Sequence, residues 1–192
     1  TDEPQVPDVP ENSGMIQNSN FAHGSEHWEN AVSEPGKAAV RFEDGKAVYQ
    51  IENVGTEEWH IQLKQSGITL EHGKQYELSL KLKSDEARMV KAAFLTDSYD
   101  WYGGADIELE KDEEKEITVP FYVDKDTDTN ITFVLSMGIM AGKDTPATII
   151  EIEEINLKEV SEVQTDVETI EEKQMRHRRI ERMKKILLIT AL

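Results

Sequence analysis

Between residues 75 and 83 the chain alternates without a fault. Tyr76, Leu78, Leu80 and Leu82 fall on one parity, and Glu77, Ser79, Lys81 and Lys83 on the other. A period of two is the pattern of an antiparallel strand with one buried and one solvated face. Comparable short runs predict strands near residues 15–17, 38–42, 47–52, 59–65, 90–96, 106–110, 116–123, 130–137 and 148–157. Turn chemistry separates them. Glu43-Asp44-Gly45-Lys46 carries the Asp-Gly hairpin signal, Glu71-His72-Gly73-Lys74 predicts a second turn, and residues 125–129 form a polar loop. No stretch from 15 to 160 sustains a helical period. Nine or ten short strands in this span predict an all-β fold, an antiparallel β-sandwich of the jelly-roll kind.

The last strand carries a break in parity. Ile150 and Ile152 share one parity, but Ile155 and Leu157 share the other. A bulge at Glu153-Glu154 returns both pairs to the core and sends one glutamate in an unusual direction. A structural cation and plain solvent are its two candidate destinations.

The ends differ from the body. Residues 1–14 contain Pro4, Pro7 and Pro10 among acidic and polar residues, the composition of an extended linker. Such a linker fits a piece of a larger chain with another domain upstream, or else a mature secreted N-terminus. Residues 161–192 change character again. Val160, Val163, Val167 and Ile170 follow helical spacing, acids precede bases in the order that suits a helix dipole, and residues 186–192 are almost wholly apolar. That predicts a charged helical tail, whose apolar end is too short to span a bilayer. The domain proper is therefore expected at 15–160.

Charge narrows the partners. The net charge is −18, with 33 acids and 14 bases in residues 1–160. Such a surface repels phosphate backbones and anionic membranes, which argues against nucleic-acid and membrane partners and leaves a neutral polymer unopposed. There is no cysteine, so disulfides and thiolate metal sites are excluded.

Three motifs in order carry a family likeness. Asn18, Phe21 and Trp28 open the domain. Glu58-Trp59-His60-Ile61-Gln62-Leu63, with Gly67, Leu70, Gly73, Lys74 and Tyr76, follows at its centre, and Glu153-Glu154-Ile155-Asn156-Leu157 closes it. Over residues 15–160 this resembles the carbohydrate-binding modules of the family 4/9/16/22 jelly-roll superfamily. The resemblance implies a noncatalytic module that binds single β-glucan or xylan chains and tethers an attached glycoside hydrolase to its substrate. A secreted bacterial setting is implied with it.

The chemistry of that task is visible in the residues. Aromatic faces stack on the apolar C–H faces of pyranose rings, while amides and charged groups hydrogen-bond the hydroxyls. By family position Trp59 resembles a platform aromatic and Gln62 its hydrogen-bonding neighbour. Trp59 also shares parity with Ile61 and Leu63, which fits a core residue equally well. Lys91 and Asp97 are placed in the cleft by their strand, and Asn130, Thr132 and Ser136 by the polar parity of theirs. The loop around Tyr99, Trp101 and Tyr102 sets three aromatics beside two glycines, a costly cluster to expose without use. Either Tyr99 or Trp101 takes the second platform position. Val134 stands where relatives often carry a glutamine, and Trp28 follows the family's structural tryptophan. The resemblance further implies a structural Ca²⁺ held by Asn20, the carbonyl around Gly45, and Glu153. Hard oxygen donors suit that ion.

Enzymatic readings are weaker. Glu151-Ile152-Glu153-Glu154 resembles the acidic strand motif of jelly-roll glucanases only superficially, because its second and third acids are adjacent and not two residues apart on one face. Glu57-Glu58 and Glu113-Glu114 have the look of turn residues. His23 and His27 have metal-ligand spacing only on a helix, which Gly24 opposes. His60 sits beside Gln62 and is either a sugar contact or a solvated side chain. The preferred ligand is a β-glucan: cello-oligosaccharide, amorphous cellulose or mixed-linkage glucan. The alternative is a structural or protein-interaction β-sandwich of a surface protein.

Overall fold

The structure, a computed structural model, describes residues 14–140 and 145–160. The helical tail expected at 161–192 and residues 1–13 of the expected linker lie outside the described residues. Ten strands follow in order. They are β1 Glu29–Val32, β2 Lys37–Glu43, β3 Lys46–Asn53, β4 Ile61–Leu70 and β5 Gln75–Ser84. Then come β6 Arg88–Leu95, β7 Trp101–Leu109, β8 Glu114–Tyr122, β9 Asp128–Ser136 and β10 Thr148–Val160. Every ladder between them is antiparallel, and they form two five-stranded sheets, β1-β4-β9-β6-β7 and β2-β3-β10-β5-β8. The expected sandwich is the observed one.

Alternation builds the core. Tyr76, Leu78, Leu80 and Leu82 of β5 face Ile61, Leu63, Phe94, Phe133 and Leu135 of the other sheet within one apolar cluster. Each such side chain contributes about 2 kcal/mol by leaving water. Phe94 lies at its centre, 5.2 Å from Phe121 and 5.3 Å from Phe133 between ring centroids. Trp28 is buried there too, its indole N–H donating to the Asn18 carbonyl.

The parity break in β10 is a bulge. Its register against β5 shifts between Ile152 and Glu154, and Ile150, Ile152, Ile155 and Leu157 are all buried. Two expectations differ from the structure. Residues 15–17 form no strand; Gln65, an inward-facing residue of β4, clamps Gln17 instead. Its Oε1 accepts from the Gln17 N–H at 2.7 Å and its Nε2 donates to the Gln17 carbonyl at 2.9 Å. Conversely β1 has no alternating signature, because a four-residue edge strand leaves most of its side chains exposed.

Candidate functional site

Three strands of one sheet, β4, β9 and β6, present their outward parity as a floor. Register fixes which residues lie side by side. Gln62, Ser136 and Lys91 form one rung; Lys64, Val134 and Ala93 the next; and Thr132 pairs with Leu95 in the third, with Ser66 bonded to Thr132. These rungs line a groove of about 840 Å³, whose walls include Glu58, Trp59, Asp97, Tyr99 and Trp101. Ala93, Val134 and Ser136 are buried although they face outward, because the walls rise over them.

Most of the polar groups of the floor are already engaged with one another. Gln62 Nε2 donates to Ser136 Oγ at 3.1 Å, Ser66 and Thr132 share a 2.9 Å hydroxyl bond, and Lys91 Nζ meets Glu58 Oε2 at 2.5 Å. Lys64 pairs with Glu29 at 2.8 Å. Groups held this way arrive at a ligand already ordered, which lowers the entropy lost on binding.

Trp59 stands half-exposed at the first-rung end, in a 3-10 turn, Glu58–His60, that precedes β4. Strand parity does not apply in that turn, so Trp59 is free of the core assignment its spacing allowed. The turn is built against a glycine. The Gly138 N–H donates to the Glu58 carbonyl at 3.1 Å, and a Cβ at 138 would come within 2.3 Å of the Glu57 carbonyl. Buried Arg88 holds the same segment, donating to the Met137 and Gly138 carbonyls, and burial pulls its pKa down to about 10. His60 is not the solvated side chain that its place in the sequence allows: it is buried, lies outside the groove lining, and its Nδ1 accepts from the N–H groups of Thr56 and Glu57.

At the third-rung end Leu95 pairs with Trp101, while Phe94 pairs with Gly103. Tyr102 is thus the extra residue of a bulge, and the bulge separates two neighbouring aromatics. Trp101 faces the groove; Tyr102 does not line it and belongs to a separate cavity. Tyr99 is 81% exposed above the groove. Of the eight expected binding residues, Trp59, Gln62, Lys91, Asp97, Tyr99 and Trp101 therefore converge. Asn130 sits just outside, its amide donating to Asp97 Oδ2 at 3.1 Å. Glu58 and Lys64 are groove residues that sequence reasoning missed, since their places depend on partners 33 and 35 residues away, Lys91 and Glu29.

The three positions that the resemblance assigns to calcium, Asn20, Gly45 and Glu153, have different surroundings. Gly45 lies close to Asn20, a Cβ there being 3.6 Å from the Asn20 carbonyl. Glu153, the bulge residue, is however gripped by two ammonium groups, Lys46 at 2.6 Å and Lys81 at 2.7 Å. Hydrogen bonds from Lys46 and then Lys81 hold its carboxyl below the usual carboxylate range. Two buried oxygens, Ser19 Oγ and Asn156 Oδ1, have no hydrogen-bond partner, but neither brings the negative charge that would offset the ion's own. Ca²⁺ takes six to eight oxygen ligands, carboxylates among them. Among the described residues no three acidic or histidine side chains gather to hold a metal. A donor set whose one carboxylate is neutralised by two lysines does not fit the ion.

Fold and groove together define a β-sandwich binding domain. The profile of the CBM 4/9 family, described as a carbohydrate binding domain, matches residues 13–147. A solved CBM4 structure is 23% identical with a TM-score of 0.65, covering 76% of this chain and 99% of its own. The N-terminal cellulose-binding domain of Cellulomonas fimi β-1,4-glucanase C is 16% identical, with a TM-score of 0.58 over 77% of this chain and 98% of that one. The second such domain of that glucanase has a TM-score of 0.57 at 15% identity, over 80% and 98%. At these identities the structural likeness concerns the fold. No curated protein matches the chain. The chain belongs to the CBM 4/9 family of carbohydrate-binding domains, and a module of this family is itself noncatalytic. Among the described residues no helix is long and apolar enough to cross a membrane.

Proposed function

We propose that the groove binds a single neutral β-glucan chain, of the cello-oligosaccharide, amorphous-cellulose or mixed-linkage type. The observation that carries this reading is the placement of Trp59 and of Tyr99 with Trp101 at opposite ends of three ordered rungs. The rungs from Gln62 to Ser66 span four residues of strand, roughly 13 Å. Platforms that far apart suit several linked pyranoses better than one ring. The groove balances two lysines, Lys64 and Lys91, against two acids, Glu58 and Asp97, which favours an uncharged chain over one rich in uronic acids.

Binding of this kind tethers whatever is attached to the module and raises its effective concentration at the polymer. A secreted glycoside hydrolase is the partner domain that this role suits. Affinity electrophoresis of the full chain tests the reading in gels cast with barley β-glucan, hydroxyethylcellulose, laminarin, xylan or glucomannan. Retardation by barley β-glucan and hydroxyethylcellulose is expected. No retardation in any gel would overturn the reading and leave a protein contact as the role of the groove.

A further inference from the structure

Trp101 lines two cavities. Beyond the groove it also borders a smaller one of about 440 Å³, at the sandwich edge where β7 and β8 meet. Its lining is chemically of the same kind: Tyr102, Phe121 and Tyr122, two glycines, and the pair Asp124 and Lys125. Tyr122 ends β8 with its side chain 52% exposed, and no bond in the core accounts for a large aromatic there. Phe121 backs the cavity from the core side with Gly103 packed against it; a Cβ at 103 would come within 2.2 Å of the ring.

The walls of this cavity are fixed in advance. The Tyr102 hydroxyl donates to the Asp126 carbonyl at 2.8 Å, and the His72 N–H donates to Thr127 Oγ1 at 3.0 Å. His72 Nδ1 lies 3.0 Å from the Lys125 carbonyl oxygen, so the β8–β9 loop is tied along its length. Lys125 Nζ lies 5.6 Å from the centre of the Tyr102 ring. Tyr102 is thereby a wall capped by a cation, and Tyr122 is the ring face left open.

We propose that this edge cavity is a second sugar subsite, which takes a further pyranose unit of the chain that crosses Trp101 from the groove. The inference rests on the proposed glucan function. Continuity through Trp101 argues for the same chain as the occupant. An exposed tyrosine face beside one carboxylate and one ammonium group is the chemistry that a sugar ring's C–H face and hydroxyls require. Tyr122 supplies the stacking face, and Asp124 and Lys125 the acceptor and donor.

Calorimetric titration of the full chain with cello-oligosaccharides and barley β-glucan oligosaccharides of increasing length tests it, using the wild type, Tyr122→Ala, Tyr122→Phe and Trp59→Ala. Tyr122→Ala is expected to weaken binding of the longest oligosaccharides by roughly tenfold, the size of one aromatic stacking contact, and to leave the shortest ones that bind unaffected. Tyr122→Phe, which keeps the ring, should restore the wild-type length dependence. Trp59→Ala should weaken every length. Equal affinity of Tyr122→Ala and wild type at all lengths would overturn the subsite while leaving the groove intact. A wild type that binds none of the oligosaccharides would overturn the glucan reading and the subsite with it.

Discussion

The indole of Trp59 stands edge-on to the imidazole of His60, with ring centroids 4.3 Å apart and planes at 66°. His60 is in turn locked by two backbone N–H groups on its Nδ1. A buried side chain therefore sets the attitude of the exposed indole that the proposed glucan site uses as a platform. His60→Ala should cost about 1–3 kcal/mol of stability, from two unsatisfied backbone donors. It should also weaken glycan binding although position 60 lies outside the groove. Thermal melts and titration on one sample separate the two effects.

Trp59→Ala and Trp101→Ala remove aromatics that are half in solvent. Each is expected to lower glycan affinity by about 2 kcal/mol, the scale of an aromatic anchor. Melting temperatures should stay near wild type, because neither ring belongs to the core cluster. A Trp101 variant that binds as tightly as wild type would remove the third-rung platform from the site.

Gln62→Ala breaks the first rung by freeing Ser136 Oγ on the groove floor. A loss of about 1 kcal/mol in binding is expected, the net worth of one hydrogen bond. Unchanged affinity would show that Gln62 serves the sheet face and not the ligand.

Glu153, Lys46 and Lys81 give a pH window. The Glu153 carboxyl is held below its ordinary 4.5, so its contribution is complete above that value and is lost as pH falls through the lowered one. Lys46 is raised above its ordinary 10.5, chiefly by its hydrogen bond to Glu153, and Lys81 is raised likewise. Their share is complete below 10.5 and disappears as pH climbs through the raised values. Melts of wild type and Glu153→Gln should differ most between these limits and converge in acid. Calcium and a chelator should leave the wild-type melt unmoved; a rise with calcium would show that the ion displaces the lysines.

Gly103→Ala places a methyl group against Phe121. Overpacking of this kind costs about 1–3 kcal/mol. The loss should appear in the melt and, by shifting the edge of β7, in binding at the Trp101 end of the groove.

Which of these features could be read before the structure follows from how local each cause is. Parity in β5 and β9 needs only neighbouring residues, so the sandwich and its polar floor were legible. The bulge in β10 was legible too, because four isoleucine and leucine positions demanded it. Trp59 was ambiguous since a 3-10 turn suspends the parity rule just where it was being applied. The sequence leaves the second platform between Tyr99 and Trp101 and groups Tyr102 with them; that Tyr102 turns out of the groove follows from a bulge set by pairing with β6. The lysines on Glu153 come from β3 and β5, more than 70 residues earlier, and no motif announces them.

The Trp101–Tyr102 bulge has a consequence for how such a module can diversify. Deleting Tyr102 would leave Trp101 opposite Leu95, and deleting Trp101 would bring Tyr102 into that same position. An aromatic faces the groove in either case, while the edge cavity loses one of its rings. A single-codon deletion could therefore retune how far along a polymer the proposed site reaches without emptying the groove of its platform, at the cost of packing or loop contacts that Tyr102 now makes.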